Sequence, residues 1–273
     1  MFSQLARLRL ELSQLRSCLS AQDYRRYVAQ IMLNSRSLFV GKTLAPVDGA
    51  MSGRIPFVLA GGIVVVPLDE MTADLAGHDP TPTFGGAREM YGGNVYLRAF
   101  RPTMKARTIV DLGSNRGLFL ALAAKVLGAE RGVAVEPEAF YWPACRALLL
   151  ENDIDPGRFP RIHRFASGTS GPQTVTLAEI LDDHSLAEVD VLKCDIEGGE
   201  FDVFGEADET VRRVRNIAME LHPEKGDVGD LARILGTHGF DVRITDQFGS
   251  EIPPECGHYL YASRDGSLVE RRP

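Results

Sequence analysis

The chain has 273 residues, 44% of them hydrophobic and 25% charged, and a formal net charge of −7. That is enough for one large α/β domain, or for one domain with an N-terminal extension, and the ordinary charge content argues against wholesale disorder. The acidic balance argues against binding along a phosphate backbone, which needs clustered Lys and Arg. Four cysteines, Cys18, Cys145, Cys194 and Cys256, lack C-x-x-C spacing, so no zinc site is signalled and isolated reduced thiols are expected. Arg7, Arg9 and Glu11 interrupt the apolar N-terminus, unlike the core of a signal peptide or a membrane span. A cytoplasmic protein that binds neither membrane nor nucleic acid is the expectation.

In chain order, the first 45 or so residues read as helices. Leu5, Leu8, Leu12 and Leu15 form one stripe, and Tyr24, Tyr27, Val28, Ile31 and Met32 a second. These helices pack on the main domain, cover an acceptor site or form a homodimer surface. In "RIPFVLAGGIVVVPLD", two apolar runs flank Gly61 and Gly62, which predicts a β-hairpin. "GHDPTPTFGGAREMYGGN" is dense in Gly and Pro and reads as a loop. The expected division is an extension over residues 1–84 and a main domain over 85–273.

From Thr108 strands and helices alternate. "TIVDL", "GVAVEP", "RIHRFASG", "VDVLKCDIEG" and "NIAMELH" read as strands, and "LFLALAAKVLG", "FYWPACRALLLEND", "TLAEILDDH" and "EFDVFGEADETVRRV" hold the helices between them. "DVGDLARILGTHGF" is a further helix with Gly239 as its stop. The alternation predicts a doubly wound, mostly parallel sheet with helices on both faces. "DVRITDQ" and "HYLYASR" are joined by too few residues for a crossover helix, so an antiparallel hairpin is expected there.

In "VDLGSNRGLFLALAA" the glycine loop places Gly113, Ser114, Asn115 and Gly117 between the first strand and its helix, where ligands of wound sheets sit. Asn115 stands where a dinucleotide fingerprint wants its second glycine. Glu136 ends the second strand, some twenty residues on, where a carboxylate accepts ribose hydroxyls. A nicotinamide dinucleotide and S-adenosylmethionine both fit a loop followed by such an acid. Asp111 favours the second, because it would meet an ammonium group there and would repel a pyrophosphate.

"VDLGSNRGLFLALAA", "VAVEP", "VDVLKCDIEGGE" and "MELH", in that order, resemble the FkbM-type family of S-adenosylmethionine-dependent methyltransferases. Lys193, Asp195, Glu197, Gly198 and Glu200 look like the family's K-x-D-x-E-G-x-E signature. The resemblance covers about residues 85–262 and implies the class I methyltransferase fold, Rossmann-like, with a seven-stranded sheet. It implies O-methylation as the reaction, varied acceptors that include sugars, and adenine contacts from Ala166 and Ser167. Tyr91 would touch the methionine part of the cofactor.

Methyl transfer from a sulfonium needs alignment and a way to remove the acceptor's proton. If the fourth strand persists, Asp195 and Glu197 share a face, and Glu220 and His222 reach the same edge from the next strand. His222 is the preferred base and Glu197 the second, with Asp195 beside them. Clustered anions also admit a Mg²⁺ site, with Asp195 and Glu220 as the preferred ligands. More ordinary roles exist for each: Glu197 as a helix cap, Glu200 as a first-turn acid, Lys193 as a neutraliser, His222 as a loop histidine. The reading is an O-methyltransferase acting on a sugar, oligosaccharide or related small metabolite. A NAD-dependent oxidoreductase and a non-catalytic cofactor-binding partner module are the alternatives.

Overall fold

The computed structural model describes residues 4–205 and 209–270, which fall into two compact units. The first comprises Met1–Asn94, Arg116–Val126 and Phe140–Asp155, and the second the remainder. The division therefore differs from the expected boundary after residue 84: two later stretches of chain join the N-terminal one.

In the first unit, α1 (Gln4–Cys18), α2 (Ala21–Leu33), α3 (Ser35–Phe39) and α4 (Ala45–Gly49) precede a hairpin of β1 (Arg54–Leu59) and β2 (Gly62–Pro67). Leu59 pairs with Gly62, so the turn is the expected two-residue connection. Alternation puts Ile55, Phe57, Val64 and Val66 inside. Helices α5 (Leu68–Leu75), α6 (Thr83–Ala87), α7 (Leu118–Leu122) and α8 (Trp142–Glu151) complete the unit. Asn152, just past α8, closes the open edge of β2: its Oδ1 accepts from the Val65 N–H and its Nδ2 donates to the Val65 carbonyl, each at 2.8 Å. The segment read as a loop over residues 77–94 is in part helical, as α6 followed by a π turn over Arg88–Gly92. Phe84, Ala87 and Tyr91 recur at helical spacing and are buried, and Gly85 and Gly86 leave room for Asp48 and Leu118. Burial of that stripe overrides the low helix propensity of glycine.

The second unit holds β3 (Thr108–Leu112), β4 (Arg131–Val135), β5 (Arg161–Ile162), β6 (Phe165–Ala166), β7 (Thr174–Val175), β8 (Val189–Cys194), β9 (Val214–Glu220), β10 (Asp241–Thr245) and β11 (Tyr259–Ser263), with α9 (Leu177–Asp183), α10 (Glu200–Val203) and α11 (Val228–Thr237). Seven strands form one sheet in the order β10-β11-β9-β8-β3-β4-β5. All neighbours from β9 to β5 are parallel, and β11 runs antiparallel between β9 and β10. This is the mostly parallel class I sheet with the expected hairpin at its end. Leu177, Ile180 and Leu181 of α9 and Leu231 and Leu235 of α11 share one core cluster with Val110, Val133, Leu192 and Ile217 of the strands. A capping box of Thr176 and Glu179 starts α9, and Asp227 caps α11, which ends before Gly239 at φ +86°.

Three expectations change. The third strand stops at Ile162, and Ala166 ends a separate short strand that pairs with β7. The fourth stops at Cys194, because Glu197 and Gly198 turn the chain at positive φ. The helix read over residues 200–214 is regular only in α10; residues 206–208 lie outside the described part. All four cysteines are free thiols, and no helix among the described residues is long and apolar enough to cross a membrane.

Asn152→Ala strips both partners from the Val65 backbone. A loss of about 2–3 kcal/mol is expected in urea denaturation, because two half-buried backbone groups lose their bonds together.

Candidate active site

The site grows from the carboxyl ends of β3, β4, β8 and β9, all in the second unit. Asp111, near the end of β3, is fully buried. Lys193 of β8, itself 3% exposed, lies 3.3 Å from its Oδ1 and 3.7 Å from Asp195 Oδ2. The same ammonium donates to the Gly113 carbonyl at 2.6 Å. Burial opposes its charge, but Asp111 and Asp195 together hold the ammonium above its ordinary range. Burial likewise pushes the Asp111 carboxyl up, against the pull of Lys193. Neither Asp111 oxygen accepts a hydrogen bond from the described residues, and the Ser114 hydroxyl is also buried without one.

Past β3 the chain turns through Gly113 at φ +74° and Asn115 at φ +44°. A Cβ on Gly113 would lie 1.7 Å from the Asp195 carbonyl oxygen, so the turn and the acid-bearing segment touch at a point only glycine permits. The Gly113 and Ser114 N–H groups both donate to the Val135 carbonyl. Glu136 follows at once: its Oε2 accepts from the Asn115 N–H at 2.9 Å and its Oε1 from the Glu138 N–H at 3.1 Å. Each oxygen keeps a lone pair for a further donor.

At the other end of the site the structure adds a residue that the sequence reading did not name. The Tyr96 hydroxyl lies 2.8 Å from Asp195 Oδ2 and 3.2 Å from Glu220 Oε2. A phenol has one proton, so bonding to both carboxyl groups requires a second proton on one of them. Burial first, then Asp195, raises the Glu220 pKa to about 7. Asp195 and Glu220 therefore meet on a hydroxyl, which fills the place a shared Mg²⁺ would take. The triplet with metal-ligand spacing is a different one, Asp195, Glu197 and His222, with donor atoms within 4.8 Å of one another.

His222 is fixed from behind. Glu200, fully buried, accepts from the His222 backbone N–H and bonds to its Nδ1, each at 2.9 Å, and its other oxygen accepts from the Gly198 N–H. That leaves Nε2 outward, 3.4 Å from Glu197 Oε2. Burial works against the imidazolium, but Glu200, Glu197 and Asp195 raise the His222 pKa on balance. Glu200 is thus more than a first-turn acid; its place in the K-x-D-x-E-G-x-E run was the signal available.

The structure brings Asp111, Gly113, Ser114, Asn115, Glu136, Asp195, Glu197, Glu220 and His222 to one edge of one unit. Ala166 and Ser167 are elsewhere in that unit's pattern: the Ser167 hydroxyl donates to Asp202 of α10. Gly117 and Tyr91 belong to the first unit, where the Tyr91 hydroxyl donates to the Leu118 carbonyl and its ring packs edge-on to Phe57. Gly117, at φ +76°, starts α7, and a Cβ there would meet the sulfur of Cys145 at 2.4 Å.

Residues 120–242 match the profile of the methyltransferase FkbM domain. That stretch of the chain is an FkbM-type methyltransferase domain. The matched span begins after the glycine loop and includes Glu136, the acid turn and His222. Over 78 residues the chain is also 40% identical to the ribosomal protein L11 methyltransferase of Azotobacter vinelandii, a match that covers 29% of this chain and only 26% of that protein. Among solved structures, a methyltransferase FkbM from Methylobacillus flagellatus KT aligns at 18% identity and a TM-score of 0.44, over 71% of this chain and 57% of its own. Precorrin-6y C5,15-methyltransferase from Geobacter metallireducens aligns at 16% identity and a TM-score of 0.42, over 64% and 88%.

Glu220 carries a pH prediction. Its folded pKa stands above the unfolded carboxyl value, so its contribution is complete below about pH 4.5 and is lost as pH rises through about 7. Glu220→Gln keeps a donor without titrating. Relative to wild type, it gains on the order of 2 kcal/mol between pH 5 and pH 8 in paired denaturation curves.

Proposed function

We propose that the protein is an S-adenosylmethionine-dependent O-methyltransferase acting on a hydroxyl of a sugar, oligosaccharide or related small metabolite. The observation that carries the reading is the Glu200–His222 pair beside Asp195: a buried carboxylate fixes an imidazole so that one nitrogen faces outward. An imidazole whose inner nitrogen is held by a carboxylate, so that the other faces outward, is what an alcohol nucleophile needs as a base.

The cofactor reading rests on the fit of the residues. Asp111 is buried with the Lys193 ammonium beside Oδ1 and no donor on Oδ2, so it would hold the ammonium end of S-adenosylmethionine, with Ser114 beside it. Glu136, with one lone pair left on each oxygen, would take the ribose hydroxyls. Lys193 lies between Asp111 and Asp195 and donates to the loop carbonyl of Gly113. Bound there, S-adenosylmethionine supplies a methyl group on a positively charged sulfur. Asp195, held by Tyr96, orients the acceptor hydroxyl, and His222 Nε2 accepts its proton. Glu200 stabilises the resulting imidazolium by accepting from Nδ1–H. Carboxylates and an imidazole together favour an acceptor rich in hydroxyl donors, which supports the sugar class.

Calorimetry with S-adenosylhomocysteine and turnover on a sugar panel test the proposal. His222→Ala is expected to lower kcat by roughly 10²–10⁴-fold while leaving S-adenosylhomocysteine affinity within about twofold. Asp195→Ala abolishes turnover, and Glu136→Ala mainly weakens cofactor binding, by about tenfold. Glu200→Gln removes an anion that raises the His222 pKa, so the acid limb of the pH–rate profile moves to lower pH. Unchanged turnover in His222→Ala removes the base assignment. Tight binding of NAD without S-adenosylhomocysteine binding would favour the oxidoreductase instead.

A further inference from the structure

Glu200 fixes more than a base. With Nδ1 engaged by Glu200, the outward Nε2 of His222 faces a carboxylate oxygen of Glu197 at 3.4 Å. The space between these two atoms takes either a ring proton or a metal ion. Asp195 offers a third donor atom in the same place. The sequence places Glu197 there at a cost, since the residue adopts φ +55°.

We infer that Asp195, Glu197 and His222 form a binding site for a divalent transition-metal ion of the Zn²⁺ type, and that its occupation switches methyl transfer off by taking the nitrogen that would receive the acceptor's proton. The metal site stands on geometry alone; the switch rests on the methyltransferase reading above.

The donor set argues for Zn²⁺ over Mg²⁺. One imidazole nitrogen with two carboxylates suits Zn²⁺ or Mn²⁺, whereas Mg²⁺ prefers oxygen and retains its water. Bonds of about 2.0–2.1 Å in a tetrahedron put neighbouring donors roughly 3.4 Å apart, and Nε2 and Glu197 Oε2 already stand at 3.4 Å. Asp195 brings its donor atom within 4.8 Å of both, and the Glu197 side chain is 89% exposed. Glu200 is the outer-shell partner that a metal-bound histidine characteristically has: a buried carboxylate on the far ring nitrogen, which fixes the tautomer and strengthens the donor. Of the cations near the set, Lys193 stands 3.7 Å from Asp195 Oδ2, and the Lys225 side chain packs on Gly198. Lys193 is already committed to Asp111 and the loop carbonyls, so it does not neutralise Glu197.

The test uses the full chain, stripped with a chelator and titrated in a calorimeter with Zn²⁺, Mn²⁺ and Mg²⁺. One Zn²⁺ per chain is expected, with Mg²⁺ weaker by about 100-fold or more. Glu197→Gln and His222→Gln should each weaken Zn²⁺ by about tenfold or more, while Asp227→Asn, at the cap of α11, retains it. Circular dichroism confirms that each variant is folded. Absence of Zn²⁺ binding, or equal binding in folded His222→Gln, overturns the site. In parallel, wild-type turnover should fall along the Zn²⁺ binding curve and return with EDTA; turnover that is unchanged or higher with Zn²⁺ bound overturns the switch. If the metal-free protein transfers no methyl group to any acceptor, the methyltransferase reading and the switch both fall, and calorimetry alone judges the metal site.

Discussion

A single buried ammonium holds the carboxyl edge of the sheet together. Lys193 points from β8 into a space that contains the Asp111 carboxylate, one oxygen of Asp195 and the carbonyls of Leu112 and Gly113. An unpaired ammonium at 3% exposure would be costly, and so would a fully buried Asp111 without a cation. Each is tolerable only because the other is there. The pair also fixes the glycine loop, since the loop carbonyl is one of the ammonium's acceptors. Replacing Lys193 would therefore disturb the Asp111 loop and the Asp195 side at once.

Glu200 plays the matching role on the far side. One carboxylate ties the Gly198 N–H of the acid turn to the backbone and ring of His222. The turn itself uses positive φ at Glu197 and Gly198, a shape that breaks β8 and swings the Glu197 side chain outward. Between these two anchors sits Tyr96, whose hydroxyl joins Asp195 to Glu220 and whose ring lies 5.4 Å from the Lys193 ammonium. The result is a continuous run of polar contacts from Asp111 through Lys193, Asp195 and Tyr96 to Glu220, with one imidazole fixed beside it. Such a run suits a reaction that begins with a cation bound on one side and ends with a proton taken up on the other.

Much of this is legible in the sequence. Strand and helix alternation gave the parallel sheet, and the short connection before "HYLYASR" gave its antiparallel end, because chain length alone forbids a crossover there. The hairpin at Gly61 and Gly62 followed from two apolar runs around a two-residue turn. The loop and Glu136 were found from spacing along one strand–helix unit, where sequence distance and spatial distance are tied. The segment 77–94 misled because its glycines look like loop residues in sequence, while in the first unit they are points of close packing beside a buried stripe. The end of the third strand is hidden for a related reason: an apolar run does not say where its pairing partner changes.

The sequence by itself determined which residues are charged, which runs are apolar, and hence the sheet and the set of acids that reach its rim. The tertiary structure alone decided how those acids divide the work: Asp195 and Glu220 meet on Tyr96, 99 and 124 residues before them in the chain, while Glu200 turns inward to His222. Periodicity cannot show this, because hydrogen-bond partners are chosen by side-chain direction and burial across strands that are remote in sequence. A carboxylate's role depends on which single donor it faces, and that is a property of the folded edge.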